Sequence, residues 1–404
     1  MNAPHSPSSS ASLLASVPMA PSDPILGVTE AYVADKNPKK VNLGVGVYYD
    51  DDGKIPLLGC VRKAEEQRMK TSPHRGYLPI DGLAAYDRGV QQLVFGSARE
   101  NIVTVQALGG TGGLRVGADF LKQANPEAQV WISDPSWENH RQLFEAAGFK
   151  VSAYPYYEPR SRGLDFAGME RTLNGLPAGS IVVLHSCCHN PTGVDLTQEQ
   201  WRRVLEIVMS RGLVPFLDLA YQGFADGIEA DAFPARLFAE ATAPVFLSSS
   251  FSKSISLYGE RVGALSVVTG SAEEAKRVLS QLKRVVRANY SNPPTHGAQV
   301  VATVLADPAL RKQWEDEVGA MRERIKLMRR QLVDRIRARV PGADFDFVLK
   351  QRGLFSYSGL TKEQVRRLRD EYSIYAIDSG RVCIAALTSK NIDYVADAIA
   401  KVIA

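Results

Sequence analysis

The sequence predicts an α/β fold, a large domain with a mostly parallel sheet between helices plus a smaller α+β domain. Three observations predict it. Short apolar runs alternate with amphipathic helical stretches through the middle of the chain. After Asn292-Pro293-Pro294 the texture changes to long, charged helices. The 404 residues, 45% hydrophobic and 23% charged, are enough to bury more than one core.

In chain order, QVWISD (129–134), IVVLHS (181–186), LVPFLD (213–218), APVFLSSS (243–250) and VGALSVV (262–268) read as buried parallel strands. Helical periodicity runs over 136–147, 165–174 and 197–211, the last opened by Thr197 with Gln200 three residues on, a capping box. A long helix follows over 308–339 and another from Thr361 to about Tyr372. The predicted division is a flexible tail or arm over 1–24, a large domain over 50–306, and a small domain made from 25–49 and 307–404.

Composition narrows the function. A net charge of +4 with acids and bases interspersed offers no basic stripe for nucleic acid. No apolar run approaches the ~18 residues that span a bilayer. Residues 1–24 carry no Lys or Arg, the first being Lys36, unlike a secretory or transit segment. Cys60, Cys187, Cys188 and Cys383 form neither a disulfide framework nor a zinc pattern. A cytoplasmic protein acting on a small molecule, with no nucleic-acid or membrane partner, is expected.

Chemistry gathers at the ends of the predicted strands, where α/β sheets bind ligands. In SSSFSKSISLYGERVG (248–263), Lys253 follows an apolar strand among small hydroxyl residues, with Arg261 close behind. Alone it would be a surface lysine; burial there would depress its charge and make it a nucleophile. GGTGG (109–113) lets the N–H groups of Gly110 and Thr111 approach an anion at a helix N-terminus, although most glycine clusters are turns. In FLDLAYQGF, Asp218 can keep a pyridine nitrogen protonated and Tyr221 can donate to a phenolic oxygen; a turn cap is the plainer alternative. In LHSCCHNPTG (184–193), Asn190 presents an amide, while His185 and His189 lack the companions of a metal site. No metal is expected.

Taken together, SFSK with ERVG, HNPTG, D-x-A-Y-Q-G-F, SDPSWENH and GRVCIA, in the chain from about Pro24 onward, resemble the class I aminotransferases of fold type I, in their aspartate and aromatic amino acid subgroup. The resemblance implies pyridoxal 5'-phosphate (PLP) bound to Lys253 as a Schiff base. It implies phosphate ligands Gly110, Thr111, Ser250, Ser252 and Arg261, with Tyr77 reaching across from the neighbouring subunit of a homodimer. Trp137 would stack on the ring, with His140 behind Asp218, and Asn190 and Tyr221 would bind its oxygen. Arg381 would clamp the substrate α-carboxylate, with Gly46 at the pocket mouth. Lys253, Asp218 and Tyr221 would be catalytic, in a ping-pong cycle that passes the amino group to 2-oxoglutarate.

Arg287 resembles the arginine that crosses from the other subunit to a side-chain carboxylate, and both branches of the subgroup carry it. Tyr49 and Ile55 lean towards the aromatic branch, because they make the rim less cationic. Thr111 and Asn292 lean towards aspartate, and Gly76 fits neither pattern. Transamination of tyrosine and phenylalanine, with aspartate as a further substrate, is the resulting expectation; aspartate aminotransfer as the main activity is the alternative. Elimination or decarboxylation on the same fold would differ in which Cα bond stands perpendicular to the ring. A regulator would need an added DNA-binding module. A dehydrogenase would need G-x-G-x-x-G, which GGTGG does not supply.

Overall fold

The computed structural model describes residues 12–20, 26–71 and 76–404. Seven strands form the central sheet in the order Ile102–Leu108, Val262–Val268, Val245–Ser250, Val214–Leu219, Ile181–His185, Gln129–Asp134 and Lys150–Pro155. Strands 181–185, 245–250 and 262–268 are buried along their whole length. Alternate residues of one strand serve opposite faces: Val182 and Leu184 join one apolar cluster, Ile181 and Val183 the other. Helices therefore cover both faces, as the unbroken apolar runs require.

One expectation is corrected. Val262–Val268 is not parallel; it runs antiparallel to both neighbours, with Gly263 opposite Ser250 and Ala107. The connection over 251–261 holds only a three-residue 3₁₀ turn, not the covering helix that a parallel crossover usually carries. The strand therefore folds straight back beside Val245–Ser250, and Arg261 is returned towards the Lys253 loop.

Helix positions follow local signals closely. Thr197 Oγ1 accepts from Gln200 N at 3.2 Å while Gln200 Oε1 accepts from Thr197 N at 2.8 Å, starting helix Gln198–Arg211. Asp307 caps Pro308–Arg339, and a second capping box opens Lys362–Tyr372. Strands 102–108 and 150–155 and helix Ala272–Asn289 were not anticipated. Near the chain ends, Val41–Asn42 pairs in parallel with Ile374–Tyr375, and Phe355–Tyr357 pairs antiparallel with Arg381–Cys383. Of the expected tail, residues 12–20 are exposed; residues 1–11 and 21–24 lie outside the described residues. Among the described residues no helix is long and apolar enough to cross a membrane.

The glycine turn depends on close backbone approach. Gly109 has φ +69°, and a Cβ on Gly263 would stand 2.4 Å from the carbonyl carbon of Gly109. Gly263→Ala should lower unfolding free energy by roughly 1–3 kcal/mol, read from the urea midpoint, whereas Gly342→Ala, with open space around it, should not.

Candidate active site

Where the parallel strands end, a cavity of about 250 Å³ opens. Gly110 and Thr111 enter it from the first turn of helix Gly109–Ala124, Asp218 and Tyr221 from the end of strand 214–219, and Ser250, Ser252 and Lys253 from the end of strand 245–250. Arg261, Asn190, Trp137, Gly46 and Arg381 complete the set. Twelve of the fourteen residues singled out from the sequence thus share one cavity.

Asp218 is buried, and its Oδ2 lies 2.9 Å from His140 Nε2; His140 Nδ1 in turn lies 3.0 Å from Ser136 Oγ. Burial alone would raise the Asp218 pKa. The His140 hydrogen bond, with the Coulombic influence of the groups around it including Lys253, outweighs burial, so the carboxyl stays below its ordinary range. Lys253 Nζ sits 4.9 Å from the Tyr221 ring centre. Burial, reinforced by Arg261 and opposed by Asp218, lowers its pKa to about 8. Tyr221 is held well above its usual range by burial and remains a neutral donor.

At the other end, Ser250 Oγ donates to Ser252 Oγ at 3.2 Å, and Arg261 Nη1 donates to Ser252 Oγ at 3.3 Å. A Cβ on Gly110 would stand 3.3 Å from Ser250 Cβ, so the helix N-terminus and the serines face one small space. Hydroxyls, a guanidinium and helix N–H groups together suit a phosphate. Arg381 is buried; its Nη1 donates to Asn190 Oδ1 at 3.1 Å and its Nη2 to Gly44 O at 2.8 Å. Gly46 must be a glycine here, since a Cβ would meet the Phe355 ring at 2.4 Å.

Tyr77 and Arg287 do not reach this cavity. Tyr77 is 94% exposed, and Arg287, in the last turn of helix Ala272–Asn289, donates to Ser291 Oγ at 2.5 Å. Asn292 Nδ2 donates to Leu78 O at 3.1 Å, which puts the two segments side by side. Tyr49 is also elsewhere. It lines a separate cavity of about 540 Å³ with Tyr32, Asn42 and Tyr394, and Ile55 is exposed. Two of the three lysines lining that larger cavity are engaged: Lys40 Nζ donates to Asp35 O at 2.6 Å and Lys390 Nζ to Asp52 Oδ1 at 2.7 Å.

Sequence reasoning gave no role to Tyr258, Phe355 or Ala220, all of which line the cavity. Tyr258 stands five residues beyond Lys253 in a quoted segment; its hydroxyl accepts from Tyr48 N at 2.9 Å. Among the histidines, His189 is tied to Ser133 and Thr192 and stacks on Tyr156 at 3.9 Å. Among the described residues, the three groups that could jointly hold a cation are His140, His185 and Asp218, with ligand atoms within 4.8 Å of one another, not the His185 and His189 pair weighed from the sequence. His185 has neither ring nitrogen bonded, and burial pushes its pKa down to about 3.

Comparison with known proteins agrees with this geometry. The family model for aminotransferase class I and II matches residues 38–399. An aspartate aminotransferase of Pseudomonas aeruginosa is 58% identical over 97% of this chain and 100% of its own length. An aromatic-amino-acid aminotransferase of Escherichia coli is 51% identical over 94% of this chain and 97% of its own. The crystal structure of an aromatic-amino-acid aminotransferase from Burkholderia pseudomallei, covalently bound to pyridoxal phosphate, superposes with TM-score 0.95 at 61% identity and covers 98% of this chain and 100% of that one. A lysine nucleophile, a carboxylate kept charged and an anion cradle around one cavity, together with a family match over nearly the whole length, lead to one conclusion: this chain belongs to the class I and II aminotransferases.

Proposed function

We propose that this aminotransferase uses PLP to move the amino group of tyrosine, phenylalanine and aspartate to 2-oxoglutarate in a ping-pong cycle. The observation that carries the reading is that one cavity is lined together by the cradle of Ser250, Ser252 and Arg261, by Lys253 and Asp218, and by buried Arg381.

PLP, when bound, supplies an electrophilic aldehyde and a ring that accepts the electron pair released at the substrate Cα. Gly110, Thr111, Ser250, Ser252 and Arg261 would hold its phosphate. Trp137 offers a ring to stack on it, and Asn190 and Tyr221 offer donors to its phenolic oxygen. Asp218 presents an anion that keeps a proton on the ring nitrogen, and His140 fixes that carboxylate in place. Lys253, with its pKa lowered to about 8, is neutral in a useful fraction near neutral pH. Its Nζ would hold the cofactor through its aldehyde and, when free, would take the proton from the substrate Cα. Arg381 grips the α-carboxylate and fixes which Cα bond faces the lysine.

The active unit in this reading is a homodimer in which Tyr77 and Arg287 serve the site of a second copy; their exposure and the adjacency of their segments support it. The chain divides into a large part over 50–306 and a small part of 25–49 with 307–404, supported by the pairing of Val41–Asn42 with Ile374–Tyr375. All four cysteines are free and buried, which suits a cytoplasmic setting. Aspartate as the main substrate is the second reading, favoured by Tyr49 standing outside the Lys253 cavity.

The purified protein should absorb between ~360 and 430 nm and shift to ~330 nm when an amino acid is added without an oxo acid, and Lys253→Ala should abolish the first band. A protein that stays colourless with added PLP would overturn the reading. Uptake of PLP by cofactor-free protein should accelerate with pH through about 8, where Lys253 loses its proton; an inflection near an ordinary lysine value would contradict the burial argument. Arg287→Ala should raise KM for aspartate roughly 10- to 100-fold while changing that for phenylalanine far less. Equal effects would remove Arg287 from the side-chain site.

A further inference from the structure

Arg381 is a buried guanidinium with an unusual set of neighbours. Its hydrogen bonds go to neutral oxygens, Asn190 Oδ1 and Gly44 O, and its Cζ lies 4.3 Å from the Phe355 ring centre. Its Nε is buried without an acceptor. One carboxylate stands near: Glu138 Oε2, 3.8 Å from Nη1. That separation is too long for a hydrogen bond but well within Coulombic range. The same Oε2 is itself buried and has no hydrogen-bond partner. A charge-bearing donor and a charge-bearing acceptor thus face each other, each with unused bonding capacity and neither satisfied by the other.

Local structure explains why the pair stays apart. Glu138 opens helix Glu138–Ala146 directly after Trp137, where the helix N-terminus favours a negative charge. Arg381 is fixed by its strand, opposite Tyr357. Burial, with help from Glu138 and Asp134, raises the Tyr357 pKa.

We propose that Glu138 is a built-in rival for Arg381, partly neutralising the guanidinium when no substrate is bound and opposing every carboxylate that arrives there. The inference rests on the reading of Arg381 as the α-carboxylate anchor. Removing an unpaired buried charge stabilises the empty site. The same carboxylate repels the incoming one, and it does so equally for ground state and transition state. Such uniform opposition appears in KM and in product release more than in the chemical step. An enzyme that must bind amino acids and discharge oxo acids through one arginine gains from weak, balanced grip at that point. Glu138 is therefore a residue that tunes affinity, acting through Arg381.

The test is calorimetric titration of the PLP-loaded dimer with 3-phenylpropanoate, a carboxylate without an amine, at low salt and at about 1 M salt. Glu138→Gln, which keeps the side-chain shape, should bind it roughly three- to tenfold more tightly at low salt, with the gain shrinking at high salt. Glu138→Asp should stay close to the unaltered protein. Unchanged or weaker binding by Glu138→Gln, while Arg381→Lys weakens it, would overturn the rival role and leave the anchor standing. If Arg381→Lys does not weaken binding either, the anchor reading fails and takes this inference with it.

Discussion

The Asp218 carboxylate, buried yet charged, is the constraint on which the site depends. An unpaired carboxylate at the end of a strand inside the protein would take up a proton, because burial penalises its charged form. His140, held from behind by Ser136, prevents this through a 2.9 Å hydrogen bond. His140 can do so only because helix Glu138–Ala146 begins after strand Gln129–Asp134, two positions along the sheet from the strand that carries Asp218. The electrostatics of the site are thus built into strand order.

Lys253 answers the opposite problem. Burial and Arg261 lower its pKa while Asp218 pulls it up, and the balance at about 8 leaves an amine that is reactive yet still titratable. The reversed strand Val262–Val268 supplies part of that balance. Because the chain turns back at once after Lys253, Arg261 returns to the same end of the sheet and contributes a cation to both the serine cradle and the lysine. A parallel strand there would have carried Arg261 to the far end.

Arg381 ties the two ends of the chain to this centre. It sits on the short strand Arg381–Cys383 and bonds Gly44 O from the N-terminal part and Asn190 Oδ1 from the strand-end turn. Phe355 packs between Gly46 and the guanidinium, so the substrate end of the cavity is assembled from four distant segments. Its charge balance, with Glu138 at 3.8 Å, exists only once those segments meet.

Local signals in the sequence determined much of this protein. Apolar runs marked five strands, a Thr-x-x-Gln box marked one helix start, and small polar residues at strand ends marked Lys253, Asp218, Asn190 and the glycine turn, because each of these depends on neighbours within a few residues. Strand direction at Val262–Val268 was not legible, since pairing sense is set by the length and path of a connection rather than by periodicity. Nor was the departure of Tyr49 to another cavity, or the nearness of Glu138 to Arg381. Those depend on how segments distant in sequence pack, which side-chain pattern alone does not encode. The sequence determined which groups carry the chemistry; the tertiary structure decided which charges face one another, because electrostatic interaction depends on distance through the folded interior and not along the chain.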